Sequence, residues 1–173
     1  MEDSAQLLDL AGKTALVMGA SHGLGATFAQ ALTGAGAQLV LPARSADTHQ
    51  AVSQGILETG GMALAIPCDV SDPGQVEAMV ARAVERLGRV NILVNNAGVA
   101  PDGGTIPERM SPDVFEQIVR INLLGTWYGC HAVDTRMLRD GQGGSITNIA
   151  FDRGLERLDR FSGGLPGHQS SRD

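Results

Sequence analysis

Short, unbroken apolar runs alternate along this chain with longer stretches in which apolar residues recur at helical spacing. That alternation predicts βαβ units and a parallel sheet, because a strand covered on both faces reads as a continuous apolar run. Five such strands are expected: Thr14 to Met18, Gln38 to Leu41, Ala63 to Pro67, Ile92 to Asn95 and Ser145 to Ile149. Helices fill the gaps. The third has Asp72 as N-cap, Pro73 at its first position and Gly88 just past its end, a full set of start and stop signals. The fourth begins at Ser111-Pro112 and is expected to run to about Arg139. Its apolar residues, Val114, Phe115, Ile118, Val119, Ile121, Leu124, Trp127, Val133 and Leu138, go around the helix rather than along one stripe. Burial on more than one side, by the sheet and by a partner subunit, is the expected consequence.

Composition narrows the class. With 173 residues, 43% hydrophobic and 18% charged, the chain suits one globular domain with its own core. A net charge of −6 with scattered arginines gives no basic footprint for nucleic acid. No apolar run approaches the roughly 20 residues of a membrane span. Cys68 and Cys130 form no CxxC pair, and Met1 to Leu10 is acidic with no basic-then-apolar leader, so a soluble cytoplasmic protein is expected. His22, His49, His131 and His168 show no metal-ligand spacing, so no metal site is expected, and no GxSxG elbow supports a hydrolase. Glycine clusters such as Gly141 to Gly144 read as tight connections, and no internal repeat is present.

Gly19-Ala20-Ser21-His22-Gly23-Leu24-Gly25 follows the first strand and opens a helix. Glycines there let backbone N–H groups approach a pyrophosphate, and the helix N-terminus favours its charge. The alternative is a tight turn with no ligand, and the GxxxGxG spacing differs from the GxGxxG fingerprint. Further along come Cys68-Asp69-Val70, Asn95-Asn96-Ala97-Gly98, Ile121-Asn122 and Gly144-Ser145-Ile146. In this order, across about residues 8 to 150, these elements resemble the short-chain dehydrogenase/reductase family. The resemblance implies a Rossmann-like, doubly wound parallel sheet with the site at the strands' carboxyl edge. It further implies NAD(P)-dependent hydride transfer to or from a small carbonyl or alcohol, with a homo-oligomer formed in intact relatives through the helix 112–139.

By the same resemblance Gly19, Ser21, His22, Gly23, Leu24 and Gly25 hold the cofactor phosphates, and Asp69 with Val70 flanks the adenine. Asn96, Ala97 and Gly98 line the ribose, and Asn122 supports a proton-relay water and the catalytic Lys. Asp69 could instead cap a helix, but Asp72 already does so; Asn122 could instead merely perturb its helix. At the end of the second strand stands Ala43-Arg44, where a carboxylate would select NAD. Arg44 suits a bidentate contact to a 2′-phosphate, which favours NADP over NAD; pairing with Asp47 is the alternative.

The family's proton-transfer group is a Tyr, a Lys four residues later and a Ser, and such proton transfer is typically worth about 10²- to 10⁴-fold. This chain has one Tyr, Tyr128, followed four residues later by Ala132, and one Lys, Lys13, ahead of the first strand. Phe151 stands where the Ser is expected, and residues 151–173 hold no Tyr, Lys, Val or Ile. A nicotinamide-binding domain over residues 1–150 is therefore expected, followed by a tail outside the family pattern at 151–173. Five strands are expected without a sixth and seventh, which would leave the fifth strand and the long helix uncovered, so negligible turnover and, despite the soluble composition, poor solubility or association are expected. A non-catalytic nucleotide-binding or interaction subunit is the rival reading.

The genetic code supplies a cause. Leu165-Pro166-Gly167-His168-Gln169-Ser170 read from the second base gives TNC CNG GNC AYC ARA if Ser170 is AGY, which can encode Tyr-x-x-Thr-Lys. The same shift turns Phe151-Asp152-Arg153-Gly154-Leu155 into TYG AYC GNG GNC, which can encode Ser-Ile-Ala-Gly. One frameshift at or just before codon 151 accounts for both, and it expects Phe151 to be TTC, Leu165 CTA and Gln169 CAA. A genuine short tail is the alternative.

Overall fold

The computed structural model describes residues 9–44, 47–58, 60–100 and 110–150; the side chains of 47–51 and everything from Phe151 onward lie outside the described residues. Five parallel strands form one sheet: β1 (Thr14–Met18), β2 (Gln38–Ala43), β3 (Ala63–Pro67), β4 (Ile92–Asn95) and β5 (Ser145–Asn148). Between them run α1 (Gly23–Gly34), α2 (Asp47–Glu58), α3 (Pro73–Leu87), α4 (Pro112–Ile118) and α5 (Thr126–Asp140). The order across the sheet is β3-β2-β1-β4-β5. It is the expected doubly wound α/β architecture. The chain reverses direction across the sheet between β1 and β4, which opens a crevice at their carboxyl ends.

Alternation along β1 divides the core into two layers. Leu16 and Met18 face α3 and α5, packing with Met79, Val80, Ala83, Val133 and Met137. Ala15 and Val17 face α1 and α2, packing with Ala29 and Ile56. Every residue of β1 is buried, which is why the strand carries no polar alternation. The third helix forms as its signals dictate: Asp72 accepts from the Gly74 and Gln75 amides, Pro73 opens the first turn and Gly88 ends it at φ +81°.

Three boundaries differ from the sequence expectation. Strand β2 runs on through Pro42 to Ala43, because its pairing with β1 ends at Leu16↔Val40. Gln38 donates toward β1, so Pro42, in the same alternation, turns its missing N–H toward β1 just past the last paired residue, while pairing with β3 continues through Ala43↔Pro67. Strand β5 ends at Asn148 rather than Ile149, although the Ile149 amide still donates to the Asn95 carbonyl at 2.8 Å. The long fourth helix is not α throughout, since Val119–Gly125 between α4 and α5 is a π-helical segment.

The expected burial of that helix on several sides is met on one side only within this chain. Gly129, Ala132, Val133 and Met137 are buried in α5, whereas Phe115, Leu123, Trp127 and Leu138 are 57–73% exposed.

Candidate functional site

A cavity of about 220 Å³ opens at the carboxyl edge of the sheet, lined by Gly19, Ser21, Arg44, Asp69, Val70, Ala97, Gly98 and five apolar neighbours. The glycine turn forms one wall for a steric reason. Gly19 has φ +73°, and a Cβ there would lie 2.7 Å from Ala97 Cα and 2.8 Å from Ala97 N. Gly25 is equally constrained, since its Cβ would overlap the Gly19 carbonyl and come 2.6 Å from Asn96 Nδ2. The turn thus lies flat on the loop after β4, and Asn96 fastens it by donating from Nδ2 to the Gly19 carbonyl at 3.0 Å. His22 is the N-cap of α1 in extended conformation and gives the helix no side-chain cap. Its Nδ1 pairs with Ser21 Oγ at 2.8 Å. The first-turn amides of α1 therefore keep no capping partner from His22, an arrangement suited to an anion.

The loop after β3 forms the second wall. Asp69 Oδ1 accepts from both the amide and the hydroxyl of Ser71, at 2.9 and 2.8 Å, which turns the chain into α3. Asp69 is thus built into the loop as well as facing the cavity, while capping belongs to Asp72. Hydrogen bonds from Gln75, backbone and side chain, together with the Gly74 amide, hold the Asp72 carboxyl below its ordinary range. Burial pushes the Cys68 thiol up to about 11, and the neighbouring charges of Asp69 and Asp72 act in the same direction. Cys68 is consequently a neutral lining group at physiological pH rather than a nucleophile.

Asn122 reaches the third wall. It sits in the π-helical segment, accepts from the Val99 amide and donates to the Val99 carbonyl, each at 2.8 Å. Both ends of its side-chain amide are thereby engaged on the loop after β4.

The fold brings Gly19, Ser21, Arg44, Asp69, Val70, Ala97 and Gly98 together around the cavity. It places His22, Gly23, Leu24, Gly25 and Asn96 at the rim or behind the turn, with Leu24 62% exposed. The side chain of Asp47, the rival partner for Arg44, is outside the described residues, as are the side chain of His49 and all of His168. Sequence reading missed Pro42, Val99 and Ile121, which also line the cavity. They are apolar residues whose signal in sequence is nearness to the named ones: Pro42 two residues before Arg44, Val99 next to Gly98, and Ile121 within the Ile121-Asn122 element. Among the described residues no group of His, Cys, Asp or Glu could hold a metal, and no helix is long and apolar enough to cross a membrane.

The family model for short chain dehydrogenases matches residues 13–163. The chain belongs to that family. It is 35% identical over 146 residues to 3beta-hydroxysteroid dehydrogenase 2 of Eggerthella lenta, covering 84% of this chain and 56% of that protein. Among solved structures it is similar to a metagenomic short-chain oxidoreductase in complex with NADP, at 33% identity and TM-score 0.79, covering 86% of this chain and 66% of that one. It is also similar to a 7α-hydroxysteroid dehydrogenase complexed with NADH and 7-oxo glycochenodeoxycholic acid, at 34% identity and TM-score 0.78, covering 87% and 57%. The chain spans between 56% and 66% of the length of these relatives.

Proposed function

We propose that this chain carries the nicotinamide-dinucleotide half of an NAD(P)-dependent oxidoreductase acting on a small alcohol or carbonyl. The observation that carries the reading is the crevice itself. At the point where the chain reverses across the sheet, a glycine turn with no room for a side chain at Gly19 or Gly25 faces Asp69, Ala97 and Gly98 across a cavity of about 220 Å³. Ala97, Gly98 and Val70 suit the apolar edges of ribose and adenine, and the amides opening α1 suit the pyrophosphate. Arg44 stands at the end of β2 without an ion-pair partner among the described residues, and its guanidinium suits a 2′-phosphate, so NADP is the preferred cofactor.

The bound dinucleotide would supply hydride chemistry; the groups that would move the proton are not in this chain. Tyr128 packs against the core layer of α3 and α5, and Lys13 precedes β1 at the opposite edge of the sheet. In our reading residues 1–150 form the cofactor-binding domain, 151–173 are out of frame, and the chain turns over no substrate in the cytoplasm. Titration with NADPH and NADH tests it: the expected result is saturable binding with NADPH preferred, reversed or abolished by Arg44→Ala, and no consumption of NADPH with aldehydes or ketones. Absence of binding to either cofactor overturns the reading, and measurable carbonyl reduction overturns its inactivity.

A second reading is favoured by the outer face of the long helix. With Leu123, Trp127 and Leu138 exposed, the chain could serve as a non-catalytic subunit that pairs with an intact relative.

A further inference from the structure

Two neighbouring side chains of the glycine turn share a proton beside the cavity. Ser21 lines that cavity, half-buried, together with Arg44 and Asp69. Its Oγ lies 2.8 Å from His22 Nδ1, and His22 is exposed. Which of the two atoms carries the shared proton decides what Ser21 presents to the cavity. When Nδ1 is bare, the hydroxyl donates to it, and Ser21 turns only lone pairs to the cavity, an arrangement that repels an anion. When Nδ1 is protonated it donates to Oγ, and the hydroxyl proton is free to reach a phosphate oxygen. A neutral imidazole populates both arrangements through its two tautomers; the imidazolium permits only the second and adds a positive charge. Histidine as a residue type changes charge between about pH 5 and 8, so the two arrangements exchange near neutrality.

We propose that His22 is a positioning residue for the cofactor phosphates: its imidazolium turns the Ser21 hydroxyl into a donor, so that dinucleotide binding strengthens as pH falls. The inference rests on the cofactor-binding reading and deepens it. The surroundings leave the pair in control of this corner of the cavity. Helix α1 carries no charged residue, and neither does the stretch 96–100 after β4. The charged side chains lining the cavity are Arg44, from the end of β2, and Asp69, from the loop after β3, whose Oδ1 is engaged by Ser71. Cys68 lines it too, but its thiol, pushed up to about 11, stays neutral. Because His22 gives α1 no side-chain cap, a phosphate at the turn meets the first-turn amides and the Ser21 hydroxyl together.

The experiment titrates the full chain with NAD+, whose pyrophosphate keeps its charge near neutrality, and with NADPH, from about pH 5.5 to 8.5, the range in which a histidine changes charge. The NAD+ Kd of the unmutated chain is expected to rise about five-fold across that range, as loss of one exposed charge-assisted hydrogen bond implies. His22→Gln keeps a donor beside Ser21 that does not titrate, so its Kd should be flat with pH. Ser21→Ala keeps the imidazole and removes the hydroxyl, so its Kd should be weaker and equally flat. Nitrogen-15 shifts of the His22 ring give a second readout that needs no variant: saturating NAD+ should move the ring's titration to higher pH, because a ligand that favours the imidazolium is favoured by it in turn. A pH-independent NAD+ Kd in the unmutated chain, or a His22 titration that NAD+ leaves in place, overturns the proposal. So does a pH dependence that survives Ser21→Ala undiminished or is confined to NADPH. A chain that binds neither cofactor at any pH overturns the cofactor reading and this inference with it, an outcome distinct from binding that ignores pH.

Discussion

Gly129 in α5 is held between two side chains: an added Cβ would stand 2.6 Å from Asn95 Oδ1 and 2.8 Å from Met18 Cε. Met18 can yield, but Asn95 is tied to Asn148 by a 2.8 Å bond between the amides. Gly129→Ala is therefore expected to cost about 1–3 kcal/mol by overpacking, exceeding the roughly 1 kcal/mol gain in helix propensity. A urea midpoint equal to or above that of the unmutated chain contradicts this. The two cysteines should differ sharply. Cys68 is buried with its thiol pushed up to about 11, while Cys130 is partly exposed. Iodoacetamide at pH 8 is expected to label Cys130 first and to reach Cys68 only in denaturant, as mapped by peptide mass. The linkage has a definite sign. Because the folded thiol titrates above its ordinary 9.0, its contribution to stability is whole below pH 9 and is lost as pH rises toward 11. Unfolding midpoints across pH 8 to 10.5 should fall in the unmutated chain and fall less in Cys68→Val.

At the scale of elements, α3 and the long helix make opposite points. The start of α3 was legible because capping is local: Asp72 accepts from the Gly74 and Gln75 amides and from the Gln75 side chain, all within four residues. The hydrogen bonds that lower the Asp72 carboxyl mean that its stabilising effect is present above its ordinary value of 3.8 and disappears as pH falls through the lower, folded value. Asp72→Ala should thus lower the urea midpoint at pH 7 and approach the unmutated chain at the acid end of that range. The π segment was not legible, because it depends on Val99, 23 residues before Asn122 in sequence. Periodicity within the helix carries no trace of that partner. Strand β2 makes the same point on a smaller scale, since Pro42 reads as a terminator until the pairing with β1 is seen to stop first.

At the scale of the whole molecule, two surfaces stand open among the described residues. Among the described residues β5 pairs only with β4, and most of its residues are exposed. Leu138 is 73% exposed on the helix that precedes it. An open strand edge beside apolar surface favours association. Light scattering is expected to show mass rising with concentration, and Leu138→Lys should reduce it while shifting stability by no more than about 0.5 kcal/mol, as for an ordinary surface position. Mass independent of concentration in the unmutated chain contradicts the expectation. Sequencing the gene through codons 145–173 tests the reading of the tail: Phe151 as TTT, or Gln169 as CAG, removes the corresponding match to the neighbouring frame.

The sequence alone determined the order of strands and helices, the glycine turn, the caps of α3 and the family, since each depends on residues a few positions apart or on motifs recurring in a set order. Tertiary structure decided which of these meet. It set Gly19 against Ala97, closed Asn122 on Val99, engaged Asp69 with Ser71 and brought the apolar Pro42, Val99 and Ile121 into the cavity. It also showed which apolar residues of the long helix this chain leaves uncovered. Those outcomes depend on the distance between loops set by the sheet, and no local pattern of polar and apolar residues encodes that distance.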